Sequence, residues 1–466
     1  NAWFQAMLVS GILNGSDLEK TPVWGGHDQP WILLWSKNEK PDLETQAFHL
    51  ATPVREDELA RRGEFRLDYQ SAYQVTVQSI LDSSWLCKAL AIGSTLDVQV
   101  MEKLCLAAAS QSIGGFWDKC NLVSGNGFSL KNGNKSPPQW LLKLPVFETK
   151  EGMAESSLLQ SQTFAELYGS RKIESARAEE LYKCPLIVIP QALGPDRGVS
   201  TGYCFWNDNV CFSQSYFGYS AFGHDEYRLV MSLLNVLVHS SLFRHFCYMR
   251  SSRVGASRRT FLKEDLDAFP FPHLSDLNKE QRTQALALSD MLETRQTKDL
   301  QALDAFVGGL FGLSKAEQQV VADTVTFNGP YAVVRKQAMY AVPPDEAATF
   351  VRTLEQAIQP FFKAVGQKVN AQLVPRLDGD WQQPWAFVTV LLDDDTWEPS
   401  KKLITSLIGE ASASAASRLV MPLPEGGLII GLLNKRRFWT RSRARLCALH
   451  IAEEHLERCF PLPERK

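Results

Sequence analysis

The sequence holds nine cysteines, Cys87, Cys105, Cys120, Cys184, Cys204, Cys211, Cys247, Cys447 and Cys459, and no Cys-x-x-Cys pair among them. The odd number speaks against a complete disulfide framework and the spacing against a zinc ribbon, so a reducing cytoplasm is the expected compartment. No apolar run approaches the roughly 18 residues that a membrane-spanning helix needs, and no membrane partner is expected. Asn1 to Gln5 carry no charged n-region of a signal peptide. Gly125-x-Gly127 lacks the third glycine of a dinucleotide-binding loop and reads as a turn. Gly218-Tyr219-Ser220-Ala221-Phe222-Gly223 places its second glycine one residue too late for a nucleophile elbow. His450 and His455 stand five apart, so they do not share a helix face as paired zinc ligands would. A large charge imbalance is also missing. The formal net charge is -3, so any affinity for nucleic acid has to come from a local patch.

What is present is an ordinary globular composition: 466 residues, 45% apolar and 22% charged, with 12 tryptophans and 25 phenylalanines to fill cores. A single core rarely serves more than about 250 residues, so two to four domains are expected. The chain begins with Asn rather than Met, which suggests a longer protein that has lost its front end.

Pro30 to Trp35 is a nearly all-apolar run suited to a strand buried on both faces, and the charged stretch Glu56 to Arg66 suits an exposed surface. Residues 72–110 have helical periodicity. Ser124-Gly125-Asn126-Gly127-Phe128 is turn chemistry, Trp140 to Phe147 a strand candidate, and 155–182 polar and helical. Leu186-Ile187-Val188-Ile189, between Pro185 and Pro190, reads as a buried strand. Tyr203 to Trp206 and Val210 to Phe212 read as a hairpin about Asn207-Asp208-Asn209. A long helix is expected from Asp225, as N-cap, to about Met249. It leads to the extended Phe269-Pro270-Phe271-Pro272. Residues 276–325 read as an antiparallel helix pair and 343–366 as another helix. Trp385 to Leu392 and Gly427 to Leu433 read as strands, and Arg441 to Cys459 as a closing helix.

The most informative stretch is Tyr227 to Lys263. It holds Arg228, Arg244, Arg250, Arg253, Arg258, Arg259 and Lys263 and no Asp or Glu. Ser251, Ser252, Gly255, Ser257 and Thr260 interleave the cations of its second half. Such a mixture suits a loop against phosphates: Arg brings charge and a two-pronged donor, hydroxyls add short hydrogen bonds, and glycine permits close approach. A solvated helix end, where cations complement the helix dipole, fits the same composition. Lys435, Arg436, Arg437, Arg441, Arg443 and Arg445 form a second cluster around Phe438 and Trp439. It suits base stacking, or equally a helix surface with Trp439 as packing anchor. Asp393-Asp394-Asp395, Glu398 and Lys401 loosely match a metal-dependent nuclease, although the Glu-to-Lys spacing is one residue too long and an acidic loop explains them more simply.

Beyond these readings, Asn14-Gly15-Ser16, Val23-Trp24 and Asp28 to Asn38 resemble the last strands of a large bacterial adenine-specific DNA methyltransferase of the restriction-modification or phage-defence type. Leu90 to Asp97 is similar to the connector that follows, and Ser124 to Phe128 to the opening of the target recognition domain. The series Lys183 to Pro190, Ser213 to Ser220 and Phe269 to Pro272 resembles the body of that domain. Phe438-Trp439-Thr440-Arg441-Ser442-Arg443-Ala444-Arg445 is similar to a C-terminal signature of the same enzymes. The family's donor-binding Phe-x-Gly-x-Gly loop and its Asn-Pro-Pro-aromatic tetrapeptide are both absent from the sequence.

The resemblance therefore implies a mixed α/β (α+β) multidomain chain that binds duplex DNA and is not catalytic alone. The implied parts are a partial methyltransferase-fold remnant at 1–60, a helical connector at 61–110, an α+β target recognition domain at 111–275, a helical spacer at 276–340 and a small α/β C-terminal domain at 341–466. S-adenosylmethionine is expected in the intact enzyme, in an N-terminal methyltransferase module on the same or a separate chain. No catalytic, cofactor or metal residue is expected here. The expected DNA contacts are Arg250, Ser251, Ser252, Arg253, Ser257, Arg258, Arg259 and Lys263. A stand-alone specificity subunit, a metal-dependent nuclease and a protein-interaction scaffold are the other readings.

Overall fold

In the computed structural model, fourteen strands are formed by the described residues. In chain order they are β1 Leu8–Asn14, β2 Ile32–Lys37, β3 Ala47–Ala51, β4 Ala72–Thr76, β5 Ser124–Asn126, β6 Val146–Phe147, β7 Leu186–Pro190, β8 Tyr203–Phe205, β9 Cys211–Phe212, β10 Tyr216–Ser220, β11 Val369–Leu373, β12 Trp385–Leu392, β13 Arg418–Pro422 and β14 Leu428–Leu433. The structure describes residues 2–25, 30–67, 72–148, 162–194, 201–255, 259–294, 300–329, 331–363, 366–375, 384–392, 397, 399–413, 416–423 and 426–456. With helices between the strands, the chain is mixed α/β. It gathers into two units: residues 1–98 with 322–466 (unit 1) and 99–321 (unit 2). The stretch 276–340, read above as one spacer, is divided between them.

Unit 1 contains two four-stranded sheets. The first has the order β2-β1-β3-β4, with β1 and β3 parallel and the other pairs antiparallel. Val9, Phe48, Leu50, Val75 and Ile80 form its core. The second is antiparallel, in the order β11-β12-β14-β13. Helices Pro344–Lys363 and Arg441–Glu454 pack on one face through Phe350, Leu354, Ile358 and Ile451, joined by Trp439 just before the second helix. Helix Lys401–Ala413 covers the other face through Ile404 and Leu407. With both faces covered, β12 and β14 have to be apolar on both, which is why they read as the continuous runs WAFVTVLL and LIIGLL. Gly427, at φ +95°, makes the turn between β13 and β14. A Cβ there would lie 2.5 Å from the Val390 carbonyl oxygen.

Unit 2 is organised by the antiparallel sheet β5-β10-β7-β8. Every residue of β10 is buried. Against this sheet lie helices Tyr227–His239 and Ser241–Arg250, bent by 65° and buried over almost their whole length. The single helix expected from Asp225 is thus two, and Glu226, not Asp225, precedes the first. Ser240 causes the break. Its Oγ accepts from Phe243 N as an N-cap, and the Asp304 carboxylate accepts from both the amide and the hydroxyl of Ser241. Among the described residues no single helix is long and apolar enough to cross a membrane.

Other expectations need correction. The run Pro30 to Trp35 forms β2, an edge strand paired only with β1 and largely exposed, with Ile32 65% and Trp35 51% accessible. An all-apolar run gives no alternation from which to tell an edge from a centre. The charged stretch 56–66 is exposed at Glu58 and from Arg61 to Glu64, as expected, but its two ends are a buried Glu56–Arg66 ion pair. Residues 72–76 are strand β4, not helix. Ser124 to Asn126 is strand β5, not a turn. Residues 203–212 do not form a hairpin: β8 pairs with β7, and β9 pairs in parallel with β6. Trp140 begins in a short helix, Gln139–Leu142, and only Val146–Phe147 is strand. Residues 276–325 hold three helices, Lys279–Glu293, Leu300–Leu310 and Lys315–Phe327.

Candidate nucleic-acid interface

The basic loop leaves helix Ser241–Arg250 at Ser251, which is buried. The Ser251 Oγ accepts from the amides of Arg253 and Val254, so the chain turns tightly. Val254 and Phe261 are buried and anchor the two ends. The returning limb is bonded to the end of β7: Leu193 N donates to Arg259 O, and Phe261 N to Gln191 O. Ahead of Val254, Arg250, Ser252 and Arg253 are exposed, and between the two anchors Arg259 is exposed. Ser257 and Arg258 lie outside the described residues.

Two of the expected contacts have other work. Ser251 is a turn-former with no exposed surface. Lys263 donates to Asp267 at 2.6 Å and sits 5.3 Å from the Tyr219 ring centroid, while the Tyr219 hydroxyl donates to the other Asp267 oxygen at 2.6 Å. Burial first, then the Asp267 charge, hold the Tyr219 phenol well above its ordinary pKa, so it stays a donor. The acid-free stretch is neutralised at its last residue by a carboxylate four positions on. Arg244 is likewise buried in the helix, giving a hydrogen bond to Gly194 O.

Beside the loop lies an open cleft of about 570 Å³. Phe217 and Phe261, with ring centroids 5.6 Å apart, lie along its apolar wall. Its polar lining comes from Asn126 on the edge strand β5, Gln191 at the end of β7, Arg177, Arg253, Lys263 and Glu264. Arg177 is held in a left-handed turn, φ +64°, by its Nε hydrogen bond to Gly127 O at 3.2 Å. Arg177 and Gln191 escaped the sequence reading. The only available signal was the basic, serine-containing run Arg171, Lys172 and Arg177, which polarity alone assigned to a helix. Among the described residues neither Arg177 nor Arg253 forms an ion pair with a carboxylate.

In the second basic cluster Arg436, Arg437 and Trp439 are structural. Arg436 makes a two-pronged bond to Glu346, and the single Nη1 of Arg437 donates to both Asp17 carboxylate oxygens, at 2.8 and 3.0 Å. Burial alone would raise the Asp17 carboxyl, but the Arg437 guanidinium, the Arg55 amide and the Arg335 charge together hold the group below the usual carboxylate range. Trp439 is a buried anchor against Phe350, its indole donating to Leu433 O. Asp393, Asp394, Asp395 and Glu398 lie outside the described residues, and Lys401 opens helix Lys401–Ala413. Among the described residues no group of three or more His, Cys, Asp or Glu could hold a metal ion.

A scan against protein-family models finds no match, and a search of curated proteins finds none either.

Proposed function

We propose that unit 2 grips duplex DNA at the cleft beside the 250–263 loop, as the recognition part of an adenine-specific DNA methyltransferase. The observation that carries the reading is Arg177 and Arg253, two cations without carboxylate partners among the described residues, on one cleft with the amides Asn126 and Gln191. The guanidiniums suit phosphate oxygens and fix register, while Asn and Gln side chains suit base edges. Arg250 and Arg259 are exposed on the same loop as Arg253. The methylation itself would belong to a separate module carrying the donor loop and the base pocket. Gly127 does not fit a donor cradle, because a Cβ there would meet the Phe212 carbonyl oxygen at 1.9 Å: that glycine serves close backbone packing. No step through S-adenosylmethionine is therefore assigned to this chain.

The test is fluorescence anisotropy of a labelled duplex with the full chain across a salt series. Arg177→Ala with Arg253→Ala is expected to weaken binding at all sequences. It should also flatten the plot of log affinity against log salt by about 0.9 for each phosphate no longer neutralised, roughly 1.8 in all. An unchanged slope, or no binding by the wild-type chain at low salt, would reject the cleft as a phosphate clamp. Asp267→Ala should separate stability from affinity. It strands the buried Tyr219 hydroxyl, at a cost of about 1–3 kcal/mol. It also frees Lys263 toward the cleft, steepening the salt slope by about 0.9. Urea unfolding and anisotropy on the same variant check both signs. A weaker, flatter salt response would contradict the pairing argument.

A further inference from the structure

We infer that unit 1 carries a second, separate anion site, a cavity that takes a phosphate group. The cavity has a volume of about 120 Å³, against the roughly 10–15 Å³ that one water needs, so a tetrahedral oxyanion fits. Arg418, Arg437 and Arg443 line it, with His450 beside them and Asp17 as its one lining carboxylate. Arg437 is paired with Asp17 through Nη1, which donates to both carboxylate oxygens. Arg418 and Arg443 remain without a carboxylate among the lining residues.

Arg418 decides the assignment. Its Nη1 faces His450 Nδ1 at 3.2 Å and Cys447 Sγ at 3.6 Å. Its Nε and Nη2 are buried and have no hydrogen-bond partner among the described residues. Those two atoms form one edge of the guanidinium, the edge that grips two oxygens of a phosphate side by side. A charged donor pair buried without an acceptor is costly, and an oxyanion in the cavity removes that cost. Arg443, whose Nη2 reaches only Gly93 O at 3.5 Å, adds a second guanidinium. Two guanidiniums with no carboxylate in hydrogen-bond contact among the described residues match a phosphate dianion better than a carboxylate. A duplex backbone is far too wide for the cavity, so the ligand is free phosphate or a small phosphate ester.

The experiment is thermal unfolding and calorimetric titration of the full chain at constant ionic strength, with inorganic phosphate in one arm and ribose 5-phosphate in the other, against chloride. At saturation at least one arm should raise the midpoint by about 5 °C. The stronger arm identifies which source the cavity prefers. Arg418→Met should abolish the shift, and Arg418→Lys should weaken binding at least tenfold, since an ammonium cannot present two parallel donors. Should Arg418→Met fail to fold, Arg443→Gln is expected to weaken binding at least tenfold. No shift in either wild-type arm, or a shift untouched in the Arg418 and Arg443 variants, overturns the site. A shift that disappears in Arg253→Ala instead would place the phosphate in the unit 2 cleft and overturn it equally.

Discussion

Replacing Glu56 with alanine is expected to destabilise unit 1 by about 3–5 kcal/mol, the usual cost of removing one partner of a buried ion pair. Arg66 is 2% exposed and Glu56 7%. The guanidinium also donates to Ala411 O at 2.9 Å and Ala416 O at 3.0 Å, and lies 5.2 Å from the Trp385 ring centroid. One side chain thus ties the segment after β3 to the end of helix Lys401–Ala413 and to β12, more than 300 positions along the chain. Without Glu56 the positive charge stays inside, and carbonyl dipoles and a ring face only partly compensate for it. The paired replacement Glu56→Leu with Arg66→Met removes both charges and should recover most of the loss, because the desolvation cost goes with the attraction. Urea unfolding of wild type, Glu56→Ala and the double variant measures this. A Glu56→Ala loss below about 1 kcal/mol would show that water reaches the pair and that its energy is that of a surface bridge.

That pair also shows where sequence reading reaches its limit. Glu56 and Arg66 sit in a stretch dense with charge, and density favours the surface. Burial depends on a partner and two carbonyls that no local pattern encodes. The same physics hid the fate of Lys263, whose neutralising Asp267 lies just beyond the basic stretch. It hid Arg177 as well, whose position depends on a left-handed turn and on the backbone of Gly127. Legible features were those in which burial on both faces forces the composition: β7, β12, β14 and the helical stretch through Leu229 to Phe246. Trp439 was legible as an anchor because an aromatic among arginines has a packing role that competes with stacking on bases. The bend at Ser240 was not, since the apolar pattern runs through it and only the Ser240 and Asp304 caps divide the helix. β2 misled for the opposite reason: it is apolar enough for a core but has a sheet neighbour on one side only. Arg250, Ser252, Arg253 and Arg259 keep an exposed, polyanion-binding composition, with fewer exposed cations among the described residues than a count of basic residues gives.

Acidification should destabilise unit 2 through His239. The imidazole closes helix Tyr227–His239 with 6% of its surface accessible. Thr201 N donates to its Nε2 at 3.0 Å, so Nε2 carries a lone pair, and Nδ1–H donates to Asn235 O at 2.8 Å. The ring is therefore fixed as one neutral tautomer. Burial, supplemented by the nearby Arg244 charge, pushes its pKa down from 6.5 to about 4. In the unfolded chain the same histidine takes up its proton near pH 6.5. Between those values the unfolded state binds more protons than the folded one, so stability falls as pH falls. The loss begins near pH 6.5, proceeds at up to about 1.4 kcal/mol per pH unit and levels off below about pH 4, for a total on the order of 3 kcal/mol. Carboxylates protonating in the same range add their own contribution, so the informative quantity is a difference. His239→Gln keeps an acceptor for the Thr201 amide and removes the titration. Urea midpoints of wild type and variant, measured from pH 7 to pH 4, should converge or cross as the wild type loses its advantage. Parallel curves would mean that His239 titrates alike in both states and that the buried neutral tautomer is not what the fold depends on.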